Sequence, residues 1–158
     1  MNRRFALISL VAASTLLASC SSGPPRRVSP PTASIQQLTV NMDGSWSVDL
    51  RLQNYSSIPM RFGSASLVMT LGDQKAGTLA AAPQISIGPE SADVVALKLQ
   101  PSSEARMAVA NALAARRPVN YTLEGSLEAV PEDGRSRSFD VDTKSSLNPV
   151  PGLDGVLR

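Results

Sequence analysis

The 158-residue chain predicts a mainly β fold: a β-sandwich of about seven short strands with one late α-helix. Three observations predict it. From Ile35 the pattern changes to period two, and several stretches alternate apolar and polar residues as in strands with one face on a core and one in water. Breaks containing glycine or proline separate these stretches at short intervals. A single alanine-rich run interrupts the alternation, opened by serines and closed by proline.

The elements follow in order. Trp46, Val48, Leu50 and Leu52 alternate with Ser47, Asp49, Arg51 and Gln53, which makes a half-buried strand with Trp46 in the core. Leu67, Met69 and Leu71 form the next, Gly72-Asp73 turns the chain, and Lys75 to Leu79 returns it. Ile85 and Ile87 make a short strand closed by Gly88-Pro89. Val95, Leu97 and Leu99 share one face of a further strand, as do Tyr121, Leu123, Gly125 and Leu127, and then Phe139 and Val141. Between Pro101 and Pro118 the sequence reads as a helix of three to four turns. Ser102 or Ser103 caps it, Glu104 suits its positive end, and Arg116 and Arg117 suit its negative end. Met107, Ala110, Leu113 and Ala114 are the expected packing face, and Pro118 stops the helix.

Ahead of this domain lies a different kind of sequence. Asn2-Arg3-Arg4 precedes an apolar run from Phe5 to Ala18. As a helix the run would reach about 21 Å, short of the ~30 Å bilayer core. The charged, apolar, small-residue layout is that of an export signal. Leu17, Ala18 and Ser19 then lead into Cys20, the only cysteine. This arrangement is similar to a bacterial lipoprotein signal with its lipobox. Residues 1–19 are then the removed signal, and the Cys20 thiol takes a diacylglycerol. An N-acyl chain on the new amino terminus would make the anchoring stable, because one chain alone holds only marginally. Ser21, rather than an aspartate, follows the cysteine and favours the outer membrane over the inner. Residues 20–34, with four prolines and little apolar bulk, read as the lipidated cysteine and an extended tether. The sandwich is expected over 35–150, with 151–158 as a C-terminal tail.

Composition limits the chemistry. Lys and Arg number 15 against 13 Asp and Glu, and Arg3 and Arg4 leave with the signal, so the mature chain is balanced. Nucleic acid, which needs a basic face, is not an expected partner. There is no histidine, hence no common general base or transition-metal ligand. After lipidation no thiol is left for a disulfide, so stability must come from a packed core. None of Lys75, Lys98 and Lys144 has a serine three residues before it, and no glycine loop cradles phosphate. Glu132, Asp133, Asp140 and Asp142 could suggest calcium. Arg135, Arg137 and Lys144 nearby make a solvated, internally neutralised face the better reading. No catalytic residue, metal or cofactor is expected beyond the covalent lipid.

The stretch Leu50-Arg51-Leu52-Gln53-Asn54-Tyr55-Ser56-Ser57-Ile58-Pro59-Met60 resembles the late-embryogenesis-abundant type 2 family, also described as the water-stress-and-hypersensitive-response (WHy) domain. In that family a strand ends in an Asn-Pro-Asn turn followed by a hydrophobic residue, often a proline, and a hydrophobic residue. Asn54, Ile58, Pro59 and Met60 keep their positions, while Tyr55 and Ser56 replace the proline and second asparagine. Ala76-Gly77, Ile87 to Ala92, and the helix followed by Tyr121 to Gly125 continue the resemblance over roughly residues 35 to 150. It implies an immunoglobulin- or fibronectin-III-like sandwich, no cofactor, no catalytic centre, and an association with desiccation or general stress. Within it, Asn54 is the expected structural turn residue, since its amide can bond nearby backbone groups. Tyr55 and Pro59 would fix the chain where the strand leaves the sheet.

Two functions are expected from these readings. The first is a non-enzymatic, lipid-anchored envelope protein facing the periplasm and associated with stress. The second is a module that binds a lipid or protein partner at the outer membrane, which would need an apolar crevice between helix and sheets or an open sheet edge.

Overall fold

The computed structural model describes residues 25–158. The predicted signal, the lipobox Leu17-Ala18-Ser19 and the lipidation site Cys20 lie outside the described residues. Two antiparallel sheets pack face to face. One has four strands: β1 (Thr32–Val40), β2 (Trp46–Gln53), β6 (Ala92–Leu99) and β9 (Val156–Leu157), in the order β6-β2-β1-β9. The other has five: β3 (Met60–Leu71), β4 (Gln74–Ala81), β5 (Ile85–Ile87), β7 (Val119–Pro131) and β8 (Arg137–Leu147). Its order is β4-β3-β7-β8, with β5 beside the start of β3. The helix α1 (Ser103–Ala114) links the two sheets.

Alternation decides the inner faces. Trp46, Val48, Leu50 and Leu52 of β2 meet Phe62, Leu67, Met69 and Leu71 of β3 and Leu123 and Leu127 of β7 in one fully buried cluster. Such side chains each contribute about 1.5–3 kcal/mol on leaving water. Gly125 sits where backbones crowd: a Cβ there would stand 2.1 Å from the Ser66 carbonyl oxygen. The open side of β1 is joined to the opposite sheet by side chains. The Ile35 amide donates to the Tyr121 hydroxyl (3.1 Å), and the Thr143 hydroxyl donates to the Ala33 carbonyl (2.8 Å). These bonds occupy edge groups that would otherwise invite another strand.

The structure departs from the sequence reading in several places, among them β3, which begins at Met60 rather than near Leu67. First, β1 begins at Thr32, ahead of the expected domain start at 35, with Ala33 in the core. A register shift between Ile35 and Gln37 explains why this strand was hard to see. The inward residues run Ala33, Ile35, then Leu38, so the period changes phase. Second, residues 25–31 are not a free tether; they are bonded to the domain. Third, the expected tail, 151–158, contains β9, whose Leu157 is fully buried and pairs with Leu38. Fourth, α1 packs through Ala105, Val109 and Ala112; of the expected face Leu113 is half-buried against the core, while Met107 is 67% exposed and Ala110 and Ala114 face solvent. Alanines are nearly neutral in hydrophobic pattern, so the helix face was settled by which small side chains allow close approach to β4 and β3.

The helix ends also differ in detail. Ser102 is the N-cap, accepting from the Ala105 amide at 3.2 Å. Arg116 and Arg117 lie beyond the last turn. The Arg116 amide donates to Leu113 and the Arg117 amide to Ala112, with Arg116 in the left-handed region at φ 49°. This is a Schellman closure with arginine where glycine is preferred.

Candidate functional site

Strands β2, β3, β6 and β7 bring four segments to one end of the sandwich. These are the loop after β2 (54–59), the loop before β6 (88–91), the β7–β8 turn (132–136) and the N-terminal stretch 25–31. The end is held by Asn54, which is fully buried. Its backbone amide donates to the Ser91 carbonyl at 2.8 Å. Its side-chain nitrogen donates to the carbonyls of Ile58 (2.9 Å), Ile87 (3.1 Å) and Gly88 (2.9 Å). With two hydrogens facing three acceptors, one is shared. Its Oδ1 accepts from the Ser56 amide at 2.8 Å, an Asx turn. Pro59 is half-buried, and its carbonyl accepts from the Glu132 amide, tying the loop to the β7–β8 turn.

The next three residues connect this knot to the N-terminal stretch. Ser56 is fully buried; its hydroxyl accepts from the Ser29 amide (2.9 Å) and donates to the Ser29 carbonyl (3.2 Å). Ser57 exchanges backbone contact with Arg27: its amide donates to the Arg27 carbonyl (3.0 Å), and its hydroxyl accepts from the Arg27 amide (2.8 Å). The same hydroxyl donates to the Pro25 carbonyl (3.0 Å). The Arg27 guanidinium donates to the Tyr55 carbonyl (3.0 Å) and to Glu90 (3.2 Å), and Arg26 pairs with Asp133. These ion pairs are exposed and add little; the hydroxyl and backbone bonds do the holding. Tyr55 is 49% exposed and Val28 41%. The docking partners Arg27, Ser29, Ser56 and Ser57 were missed from sequence. The only available signal was that Tyr55 and Ser56 depart from the family turn.

Trp46 is fully buried at the other end, and its indole N–H has no partner among the described residues. Near it, the β1–β2 turn is closed by Asp43, whose Oδ1 accepts from the Ser45 amide (2.9 Å) and hydroxyl (2.5 Å). Those bonds, with Lys98 3.5 Å away, hold the Asp43 carboxyl below the ordinary carboxylate range. Asp140 and Asp142 lie exposed on β8, and Lys144 is 3.9 Å from Asp142. Among the described residues no three metal-ligating side chains converge.

Among the described residues, surface clefts lie at this second end. The first, about 350 Å³, is lined by Leu113, Arg116 and the 149–155 segment. The second lies between α1 and Pro118-Val119, and the third follows Asn120–Thr122 and Lys144–Ser146. Ala105, Val109 and Ala112 of α1 pack into the core, and the second cleft opens beside Ala112 at the start of β7.

No protein-family model matches the chain. No curated protein matches it either. Solved structures do. A solution structure from Arabidopsis thaliana superposes with a TM-score of 0.51 at 10% identity, covering 88% of this chain and 92% of its own. That likeness establishes a shared fold. A solution structure named as a late embryogenesis abundant (LEA) protein is similar with a TM-score of 0.48 at 15% identity, covering 94% of this chain and 87% of its own. A crystal structure from Archaeoglobus fulgidus gives 0.41 at 14% identity, covering 78% of this chain and 98% of its own.

Proposed function

We propose that this chain is a non-enzymatic, lipid-anchored protein of the bacterial cell envelope. It is held at the outer membrane, faces the periplasm, and serves in tolerance of drying or other envelope stress. The observation that carries the anchoring is the run Leu17-Ala18-Ser19-Cys20 behind a short apolar segment and two arginines. Only a cysteine offers the thiol that takes a diacylglycerol, and here the sole cysteine stands at that position. The stress role rests on the resemblance around Asn54, and the sandwich fold is compatible with it. A chain with no histidine and no other thiol is poorly equipped for nucleophilic or acid–base catalysis.

The test is the variant Cys20→Ser followed by cell fractionation, alongside mass spectrometry of the native amino-terminal peptide. The expected result is a native peptide beginning at Cys20 with diacylglycerol and N-acyl mass, and a variant lost from the outer-membrane fraction. A native terminus carrying no added mass would overturn the anchoring. Unchanged survival of drying and osmotic shock in a deletion strain would overturn the stress role alone.

A further inference from the structure

The docked N-terminal stretch changes what an anchor at Cys20 would do. Were residues 21–34 a loose tether, the domain could drift and rotate at a distance from the lipid. Instead, the chain is fastened to the domain from Pro25 onward by Ser56, Ser57 and Arg27. Five residue steps separate Cys20 from Pro25. Whatever conformation they take, five residues span at most about 18 Å. The sandwich is far longer than this: β3 alone runs twelve residues, about 40 Å at ~3.3 Å per residue.

We propose that the end of the sandwich carrying the Asn54 loop is a membrane-facing surface, held against lipid headgroups by this clasped, shortened leash. The inference rests on the anchoring at Cys20 proposed above. The chemistry of the end fits a headgroup layer. Tyr55 and Val28 stand exposed beside each other's segments, and an aromatic ring with a polar tip suits the boundary between headgroups and water. Arginines and acids are balanced there, with Arg26 against Asp133 and Arg27 against Glu90. Charge attraction to anionic lipid is therefore not what orients the domain; the length of free chain is. Ser56 and Ser57 thereby acquire a purpose that turn geometry alone does not require. The Asx turn needs Asn54 and the Ser56 amide, whereas the two hydroxyls serve the N-terminal stretch.

The experiment uses full-length acylated protein in vesicles of phosphatidylethanolamine and phosphatidylglycerol containing a headgroup-nitroxide phosphatidylcholine. A fluorophore is attached at Ser136→Cys, exposed at the Asn54 end, or at Met42→Cys, fully exposed at the other. Mass spectrometry first confirms the acyl groups on Cys20. Quenching by the lipid nitroxide is expected to be several-fold greater at position 136 than at 42. The combined variant Arg26→Ala, Arg27→Ala, Ser56→Ala, Ser57→Pro removes the hydroxyls, the guanidinium contacts and the Ser57 amide that hold the stretch; freed up to Pro31, the chain has eleven residues and a reach of about 40 Å. In it the quenching ratio should fall toward one, with Trp46 emission reporting that the sandwich stays folded. Equal quenching at both sites in acylated, clasped protein overturns the membrane-facing surface while leaving the anchoring intact. A ratio that survives release of the clasp overturns the leash as its cause. Shielding of position 136 from aqueous iodide without lipid quenching would mean that a second copy covers this end, and also overturns the proposal. Absence of acyl mass would sink the anchoring and this inference together.

Discussion

Asn54 shows how much one side chain can carry. Its amide satisfies three carbonyls and its oxygen an amide, all in a loop shielded from water. Asn54→Ala leaves these groups without partners, and the cost of orphaned buried groups sets the expected loss at about 3 kcal/mol. Asn54→Asp should be worse at neutral pH, because it turns an acceptor toward three acceptors. Urea denaturation followed by emission of the single tryptophan, Trp46, measures both; parental stability in Asn54→Ala would mean that the loop is held by something else. Asp43 makes a pH-dependent contribution of definite sign. Its carboxyl is held below the ordinary range first by the Ser45 hydroxyl, then by the Ser45 amide, with Lys98 adding to it. A depressed acid stabilises the fold above its unfolded pKa, and that contribution is lost as pH falls through the folded value. Asp43→Asn should therefore flatten the acid limb of melting temperature against pH, below the ordinary carboxylate range. An acid limb as steep as the parent's would remove Asp43 from the account.

The helix and its neighbours are set by packing more than by intrinsic preference. Its serine cap, acidic first turn and proline stop are local, and these were legible in the order of residues. The buried face was not. Ala105, Val109 and Ala112 face β4 and β3 because their small side chains let the helix lie close, and Met107, more apolar, is left in water. The helix end carries a cost that can be removed. Arg116 occupies the left-handed region at φ 49°, and a non-glycine residue there is strained by about 1 kcal/mol. Arg116→Gly should raise stability by about that amount in thermal or urea unfolding. A loss of stability would show that the arginine side chain holds the end of the helix by its own contacts. Asn54 was likewise legible because its Asx bond reaches only two residues along the chain. The Ser56 and Ser57 contacts, to residues 27 and 30 positions earlier, leave no local pattern.

The chain ends close the sandwich. The N-terminal stretch seals the Asn54 end, and the last residues return to the edge of β1. Leu157 is buried opposite Leu38, the Arg158 amide donates to the Asn148 carbonyl (2.9 Å), and the Arg158 guanidinium donates to Gln37 (2.8 Å). Leu157→Ala should cost about 3 kcal/mol, the usual range for a buried leucine. Removal of residues 151–158 should cost at least as much, since it also uncovers the β1 edge. A truncated protein that melts with the parent would restore the view of these residues as a tail. The order of residues by itself determined the inward faces of β2, β3 and β7 and the span of the helix, because alternation and capping act over a few neighbouring residues. It did not determine which side of an alanine-rich helix is buried, that a proline-rich lead-in is docked, or that the last residues form an edge strand. Those depend on hydroxyls, carbonyls and small side chains meeting across 27 to 121 residues of sequence, where no periodicity reports the encounter and only the folded backbone brings the partners together.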